Sequence, residues 1–333
     1  MHVDAMSRIS ASPIEAEAAA LAAERAGYDG IGLPETKHDV FTTLTLAARA
    51  TTTINLQSAI AVAFARNPMT VAYCANDVQL ISGGRLQLGL GSQVQPHVER
   101  RFAMPWSAPA ARMEDFIAAV RAIWTAWSSG NRLMYKGRFY SHTLMTEFFN
   151  PGPNEFGNPP IWLAAVGAKM SAVAGRVADG LICHSFTTEA YLREVTLPAV
   201  AEARGSLDDF SVALAAFVVL GDDEASRAKA AEAIRGQIAF YGSTPSYLPV
   251  LELHGWGELH TKLNALARQQ AWTEMGGLIT DDVLDAFAVS GSAAEVAARL
   301  TARFGDAVQR MSLYTPYPVE EAQLHAVAAA LRA

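Results

Sequence analysis

A chain of 333 residues that is 51% hydrophobic and only 18% charged can bury a large core. Its net charge of −7 leaves no basic stripe for a nucleic-acid backbone. No apolar run approaches the ~18 residues that a membrane span requires, and the two cysteines, Cys74 and Cys183, form neither a disulfide framework nor a paired metal-ligand spacing. The first residues enter a β pattern directly, without a basic and then apolar leader. The expectation is therefore a cytoplasmic protein acting on a small-molecule substrate, with no nucleic-acid or membrane partner.

Apolar, β-branched runs alternate with alanine-rich helical runs along the whole chain. Val3 to Met6 reads as a first strand. The helix from Pro13 to Ala26 follows, with Ser12 as N-cap, Pro13 in the first turn and Glu15 completing a capping box. Asp29 to Pro34 is the second strand and Phe41 to Ala50 a short helix. Ile54 to Val62 is the third strand, and Pro68 opens a helix that stops at Ser82-Gly83-Gly84. Arg85 to Gly91 is the fourth strand, and Ala108 to Trp127 a long amphipathic helix. Residues 128–160 break the rhythm with Gly, Pro, Asn and aromatic residues and read as a hairpin-like excursion over the surface.

Ile161 to Ala165 is the fifth strand, Ala168 to Ala178 a helix, Gly180 to Cys183 the sixth strand and Thr188 to Arg204 a helix. Ser211 to Leu220 is the seventh strand, followed by a helix from Asp223 to Tyr241. A second irregular excursion covers residues 242–281. Ala293 to Phe304 is helical, Gln309 to Tyr314 is the eighth strand, and Glu320 to Leu331 closes the chain. Strands that return parallel through helical crossovers predict an α/β fold, a single (β/α)8 TIM barrel over residues 1–333 with insertions after strands four and seven. An open doubly wound sheet is the competing architecture, but Met6-Ser7-Arg8-Ile9 offers no glycine fingerprint after the first strand.

In a barrel, ligands meet the residues that follow each strand. After strand two stand Glu35, Thr36, Lys37, His38 and Asp39, read either as an active-site rim or as a solvated loop capping the next helix. An imidazole titrates near neutrality, so His38 is the first candidate for proton transfer, with Glu35 as the deeper carboxylate. Strand three runs through the small apolar stretch Ala59 to Ala65, read either as core packing or as a place where a planar ring could approach, and then ends in Arg66. Gly89 and Gly91 inside strand four mark places where another group comes close. Ser92 and Gln93 follow, and His97 is a further polar candidate.

Strand five runs through Ala165, Val166, Gly167, Ala168 and Lys169 into a helix. That helix N-terminus is suited to a phosphate by its free N–H groups and its dipole. His184 follows strand six as a candidate proton donor or a structural histidine. His254 and His260 could cover the mouth as part of a lid. No histidine spacing matches a metal motif, so no metal is expected.

The ordered set Ser82-Gly83-Gly84-Arg85, Leu88-Gly89-Leu90-Gly91, Arg112, Ile123-Trp124, Pro160-Ile161-Trp162-Leu163-Ala164-Ala165 and Ala178-Asp179-Gly180 resembles the luciferase-like monooxygenase superfamily over essentially the whole chain. Within it, Ala61 to Arg66, Ser92-Gln93, Met104-Pro105-Trp106 and Phe240 to Pro245 are most similar to the coenzyme F420-dependent oxidoreductases. The resemblance implies a ring bound against a bulge near Ala59-Ile60-Ala61, with a non-prolyl cis peptide. It also implies a cofactor phosphate at Val166 to Lys169, and an acidic residue at Glu35. Related dehydrogenases carry a histidine directly after that acidic residue, where this chain has Thr36. The expected activity is hydride transfer between F420 and a small organic substrate. FMN with oxygen chemistry is the alternative cofactor and reaction, and a non-catalytic flavin-binding barrel the second alternative. A homodimer or higher homo-oligomer is the expected assembly.

Overall fold

The computed structural model describes all residues, 1–333. Eight strands form the barrel: β1 (His2–Met6), β2 (Gly30–Leu33), β3 (Asn55–Ser58), β4 (Leu86–Gly91), β5 (Ile161–Ala165), β6 (Gly180–Cys183), β7 (Ser211–Val219) and β8 (Arg310–Tyr314). Each pairs in parallel with the next, and β8 returns to β1 through Arg310–His2, Met311–Val3 and Ser312–Asp4, which closes the ring. The outer strand faces and the surrounding helices share one core that includes Val3, Ile31, Leu56, Leu88, Leu163 and Met311. Closure leaves no barrel strand edge unpaired, so the architecture is the TIM barrel that the alternation implied. No helix is long and apolar enough to cross a membrane.

Local chemistry explains the helix starts. Ser12 accepts from the Glu15 amide while the Glu15 carboxylate accepts from the Ser12 amide at 2.7 Å. The same reciprocal box recurs at Ser292 and Glu295. The Ser82-Gly83-Gly84 stop works as expected, with Gly83 left-handed at φ 66°. Arg85, which follows it, is a staple at the base of the barrel. Its guanidinium donates to the carbonyls of Ala48, Thr51, Ile54 and Ser82, at 2.6–3.0 Å. It therefore ties the C-terminus of the Val40–Ala50 helix to the start of β3.

The barrel bore holds a buried ion pair. Asp4 on β1 accepts two hydrogen bonds from Arg310 on β8, at 2.5 and 2.7 Å, with both side chains nearly enclosed. Gly30 on β2 stands beside them, where a Cβ would lie 2.6 Å from an Asp4 oxygen.

The pairing of β3 with β4 is out of step by one residue. Leu56 and Gln57 pair with Leu86 and Gln87, but the ladder resumes with Ala61 opposite Leu90 and Val62 opposite Gly91. Five residues on one side thus match four on the other, which is a β-bulge. Ser58, fully buried, replaces the missing ladder contact. Its hydroxyl donates to the Gly89 carbonyl at 2.8 Å and accepts from the Gly89 amide at 2.9 Å. The Ala59–Ile60 peptide at the bulge is cis, where the family resemblance placed one.

The two excursions differ in location from each other. The first follows the Pro109–Ser129 helix and precedes β5, so it lies at the N-terminal end of the barrel, away from the mouth. It carries the expected hairpin, Tyr135–Lys136 against Ser141–His142. Buried Asp115 anchors the hairpin by accepting from the amides of Phe139 and Tyr140 and from the Tyr135 hydroxyl. The second, expected to be irregular over 242–281, is mostly helical: Leu248–Leu253, Gly257–Arg268, Trp272–Gly276 and Asp281–Phe287. Pro245, Pro249, Gly255 and the Gly276-Gly277 pair cut these helices short and hide their period in the sequence. They pack on Phe186, Tyr191 and Phe217 in a second apolar cluster, and Ala288–Ser290 then adds a short strand to the C-terminal end of β7.

Removing the bulge hydroxyl strands a buried amide and a buried carbonyl. Ser58→Ala is expected to lower the unfolding free energy by about 1–3 kcal/mol, measured by urea titration. Gly89→Ala is expected to be worse, because its Cβ would fall 1.9 Å from the Ser58 carbonyl oxygen, a backbone atom that has nowhere to go.

Candidate active site

A cavity of about 1800 Å³ opens at the C-terminal ends of the strands. Pockets for a single small molecule commonly measure about 300–1,000 Å³, so this one has room for two ligands side by side. Its floor is the bore around Asp4, Gln57, Arg310 and Ser312. Its walls are the residues that follow β1 to β6, inward-facing residues of β7 and β8, and the second excursion.

One wall is made by Ala59 and Ile60 of the bulge, Gly91, Ser92 and Gln93 after β4, and Ala165, Val166, Gly167, Ala168 and Lys169 after β5. Ala61 is fully buried behind it. The two strand glycines serve the bulge itself. A Cβ on Gly89 would strike the Ser58 carbonyl, and one on Gly91 would lie 2.7 Å from the Ile60 side chain. The group expected to approach these glycines is therefore the neighbouring strand, which delivers Ile60 to the cavity.

At the end of β5, Gly167 is the N-cap of the Ala168–Val177 helix and contributes no side-chain cap. The Met170 and Ser171 amides bond the Gly167 carbonyl, so the amides before them are the free donors of this helix. Nothing lies within 4 Å of where a Gly167 side chain would begin, and Lys169 is exposed in the first turn. An open, uncapped helix start with a cation beside it fits a phosphate group.

The polar residues after β2 brace the bulge. The Glu35 carboxylate accepts from the Val62 amide at 2.7 Å and from both terminal nitrogens of Arg66 at 2.6 and 2.7 Å. Asp39 shares the same guanidinium. Glu35 reaches the cavity wall, but its oxygens are occupied in clamping the bulge to the end of β2. Arg66, expected at the cofactor, is spent on this clamp and does not line the cavity. His38, expected to transfer a proton, is exposed and outside the lining, because the loop turns its side chain to solvent while Asp39 caps the next helix. Thr36 lines the cavity in its place and donates to the Ile9 carbonyl.

His97 lies on the rim, exposed, in a short helix at Gln95–Arg100. His184 is the histidine that enters the cavity wall. Its Nδ1 accepts from the Phe186 amide at 3.0 Å and its Nε2 meets the Tyr247 hydroxyl at 3.1 Å. Burial draws its pKa down to about 4, so the ring is neutral at physiological pH. His254 and His260 do not form a lid. The first bonds the Thr188 hydroxyl at 2.8 Å and so fixes the excursion to the segment after β6, and the second bonds the Gly242 carbonyl at 2.7 Å, at the end of the Glu224–Gly242 helix.

Besides Tyr191, three tyrosines line the β6–β8 side of the cavity: Tyr241, Tyr247 and Tyr314. Sequence reasoning passed over them. Tyr314 sits at the end of β8, a position that the strand-end rule could have flagged. Tyr241 and Tyr247 come from the excursion, whose path no short pattern reveals. Ser7, after β1, was also missed. Its buried hydroxyl has no partner and belongs to the cavity lining.

The depressed His184 pKa has a stability consequence. The unfolded chain binds a proton at this imidazole near pH 6.5, whereas the folded protein resists until about 4. Between those values the unfolded state holds more protons, so stability falls as pH falls through that window. His184→Gln is expected to flatten this part of the pH–stability profile by roughly 1–3 kcal/mol. Urea unfolding of both proteins at pH 7.5 and pH 4.5 measures the difference.

The luciferase-like monooxygenase family model matches residues 1–310. An uncharacterised protein of Mycobacterium tuberculosis is 48% identical over 297 residues, covering 88% of this chain and 87% of its own. A 5,10-methylenetetrahydromethanopterin reductase of Methanolobus tindarius is 28% identical over 284 residues, covering 84% and 83%. Among solved structures, the coenzyme F420-dependent tetrahydromethanopterin reductase of Methanopyrus kandleri superposes with a TM-score of 0.81 at 21% identity, covering 99% of this chain and 98% of that one. With its bulged third strand, its mouth cavity and a family match over nearly its full length, the chain belongs to the luciferase-like monooxygenase family.

Proposed function

We propose that the protein is an oxidoreductase that transfers a hydride between the deazaflavin coenzyme F420 and a small organic substrate. The observation that carries this reading is the pairing, in one cavity, of a small-residue bulge wall with the open helix start at Gly167 and Lys169. A tricyclic ring and its phosphate tail need those two features next to each other. The reductases similar to this chain include one that is F420 dependent, which favours the deazaflavin over FMN.

When bound, the cofactor supplies the hydride-carrying ring. The chain's own residues bind and orient it. Ala59 and Ile60 would back the ring, and the amides around Gly167 and Ala168, with Lys169, would hold the phosphate. Ser92 and Gln93 would border it from β4. The Glu35–Arg66 clamp keeps the bulge wall in place. The remaining volume, towards β6, β7 and β8, takes the substrate. That space is lined by Leu214, Tyr241, Tyr247, Leu253 and Tyr314, which suits an apolar molecule with few polar groups.

Titration of the purified protein with F420 and with FMN, followed by fluorescence, tests the reading. F420 is expected to bind and FMN to bind far more weakly. Tight FMN binding without F420 binding would replace hydride transfer by oxygen-linked flavin chemistry, and binding of neither would remove the cofactor assignment. Lys169→Ala is expected to weaken F420 binding by about 3–10-fold. That loss should shrink at high salt, as the contribution of an exposed cation does.

A further inference from the structure

The hydrogen bonds around His184 fix the direction of every proton in a short chain. The Phe186 amide can only donate, so His184 Nδ1, at 3.0 Å, is the acceptor and carries no hydrogen. A neutral imidazole then has its single proton on Nε2. That nitrogen faces the Tyr247 oxygen at 3.1 Å, so the phenol oxygen receives a hydrogen bond there. The Tyr247 hydroxyl hydrogen must point elsewhere, and the phenol has no other hydrogen-bond partner on the protein while its ring lines the cavity. An unmade hydrogen bond in an apolar wall is costly. The site is thus built for a ligand that brings an acceptor.

The rotation of the Tyr247 ring is limited by its neighbours. Its centroid lies 4.7 Å from His184, 5.4 Å from Phe186 and 5.8 Å from Tyr241. Burial also holds the phenol up at about 12, which keeps it protonated and a donor across the physiological range. Its partners His184 and Phe186 follow β6, and Tyr241 beside it meets Tyr314 at the end of β8, so this wall stands on the β6–β8 side of the ring. The acceptor it takes is uncharged. Of the two cationic side chains in the lining, Arg310 is consumed by Asp4, and Lys169 belongs to the helix that follows β5.

We propose that Tyr247 is the hydrogen-bond donor to a neutral carbonyl oxygen of the substrate, and that His184 is the positioning residue that turns the Tyr247 proton into the cavity. The inference deepens the hydride-transfer reading and rests on it for the word substrate. The geometry of the donor does not depend on the cofactor. A ketone or aldehyde on an otherwise apolar molecule meets the wall best, and the hydrogen bond from Tyr247 polarises its carbonyl carbon.

The test uses a chromophore rather than turnover. The push–pull enone 4-(dimethylamino)benzylideneacetone absorbs at longer wavelength when its carbonyl oxygen accepts a hydrogen bond. It is added to the full-length protein with and without F420. Wild-type protein is expected to shift the band to the red. Tyr247→Phe is expected to abolish most of the shift and to weaken probe binding by about 3–10-fold, with F420 affinity unchanged as the check on folding. His184→Leu is expected to lose part of the shift, and His184→Gln, which restores an N–H donor, to recover it.

The proposal is overturned if the wild type gives no shift. It is also overturned if Tyr247→Phe retains the shift, or if the shift disappears in Tyr314→Phe instead. Should F420 fail to bind while a Tyr247-dependent shift persists, the cofactor reading falls and the donor assignment stands.

Discussion

One mismatch of a single residue organises the mouth of this barrel. Parallel strands pair residue for residue, and β3 carries one residue too many for β4 between Leu56 and Ala61. A buried amide and a buried carbonyl would be left unpaired, which a folded core does not tolerate without a substitute. The Ser58 hydroxyl is that substitute, because a hydroxyl can both donate and accept. Once the surplus is accommodated, Ile60 is pushed into the bore and Gly91 must yield its side-chain space. The loop after β2 then has to brace the displaced strand through Glu35 and Arg66. The shape of the bulge wall, the conformation of the next loop and the two strand glycines follow from a single extra residue.

This hierarchy explains which parts of the molecule were legible in the sequence. Helix caps, the Gly83 stop and the alternation of strands and helices are local events, so Ser12, Glu15 and Gly83 announce them directly. The strand-end rule also locates Gly167, Lys169 and His184, since a barrel sends those positions to one face. Residues 242–287 were harder. Short helices interrupted by Pro245, Pro249 and Gly255 give no clear period, and only packing against Phe186 and Phe217 fixes their course. Tyr247 could not be placed for that reason.

The polar run after β2 is held largely by its own partners. Glu35, His38 and Arg66 have the right chemistry for catalysis, and their spacing allows it. Side-chain direction decides the matter. Glu35 and Arg66 satisfy each other and the Val62 amide, whereas His38 falls on the solvent side of a turn that Asp39 needs for its cap. A charged cluster at a strand end is ambiguous until its partners are counted, and here the partners are within the cluster. Several of the residues that mark the family are structural in the same sense. Arg85 binds helix-end carbonyls, and Asp179 accepts from the Ile161 amide and Arg121.

The Asp4–Arg310 pair gives the bore an internal ground. Two opposite charges held within 3 Å and largely buried cancel at the floor, and each is too costly to separate from the other to serve an incoming ion. Free positive charge is left at the rim, on Lys169. The cavity is therefore polarised along its depth, neutral below and cationic above. An elongated ligand with one anionic end would match that arrangement with its tail outward. The pair would set that orientation without itself binding the anion.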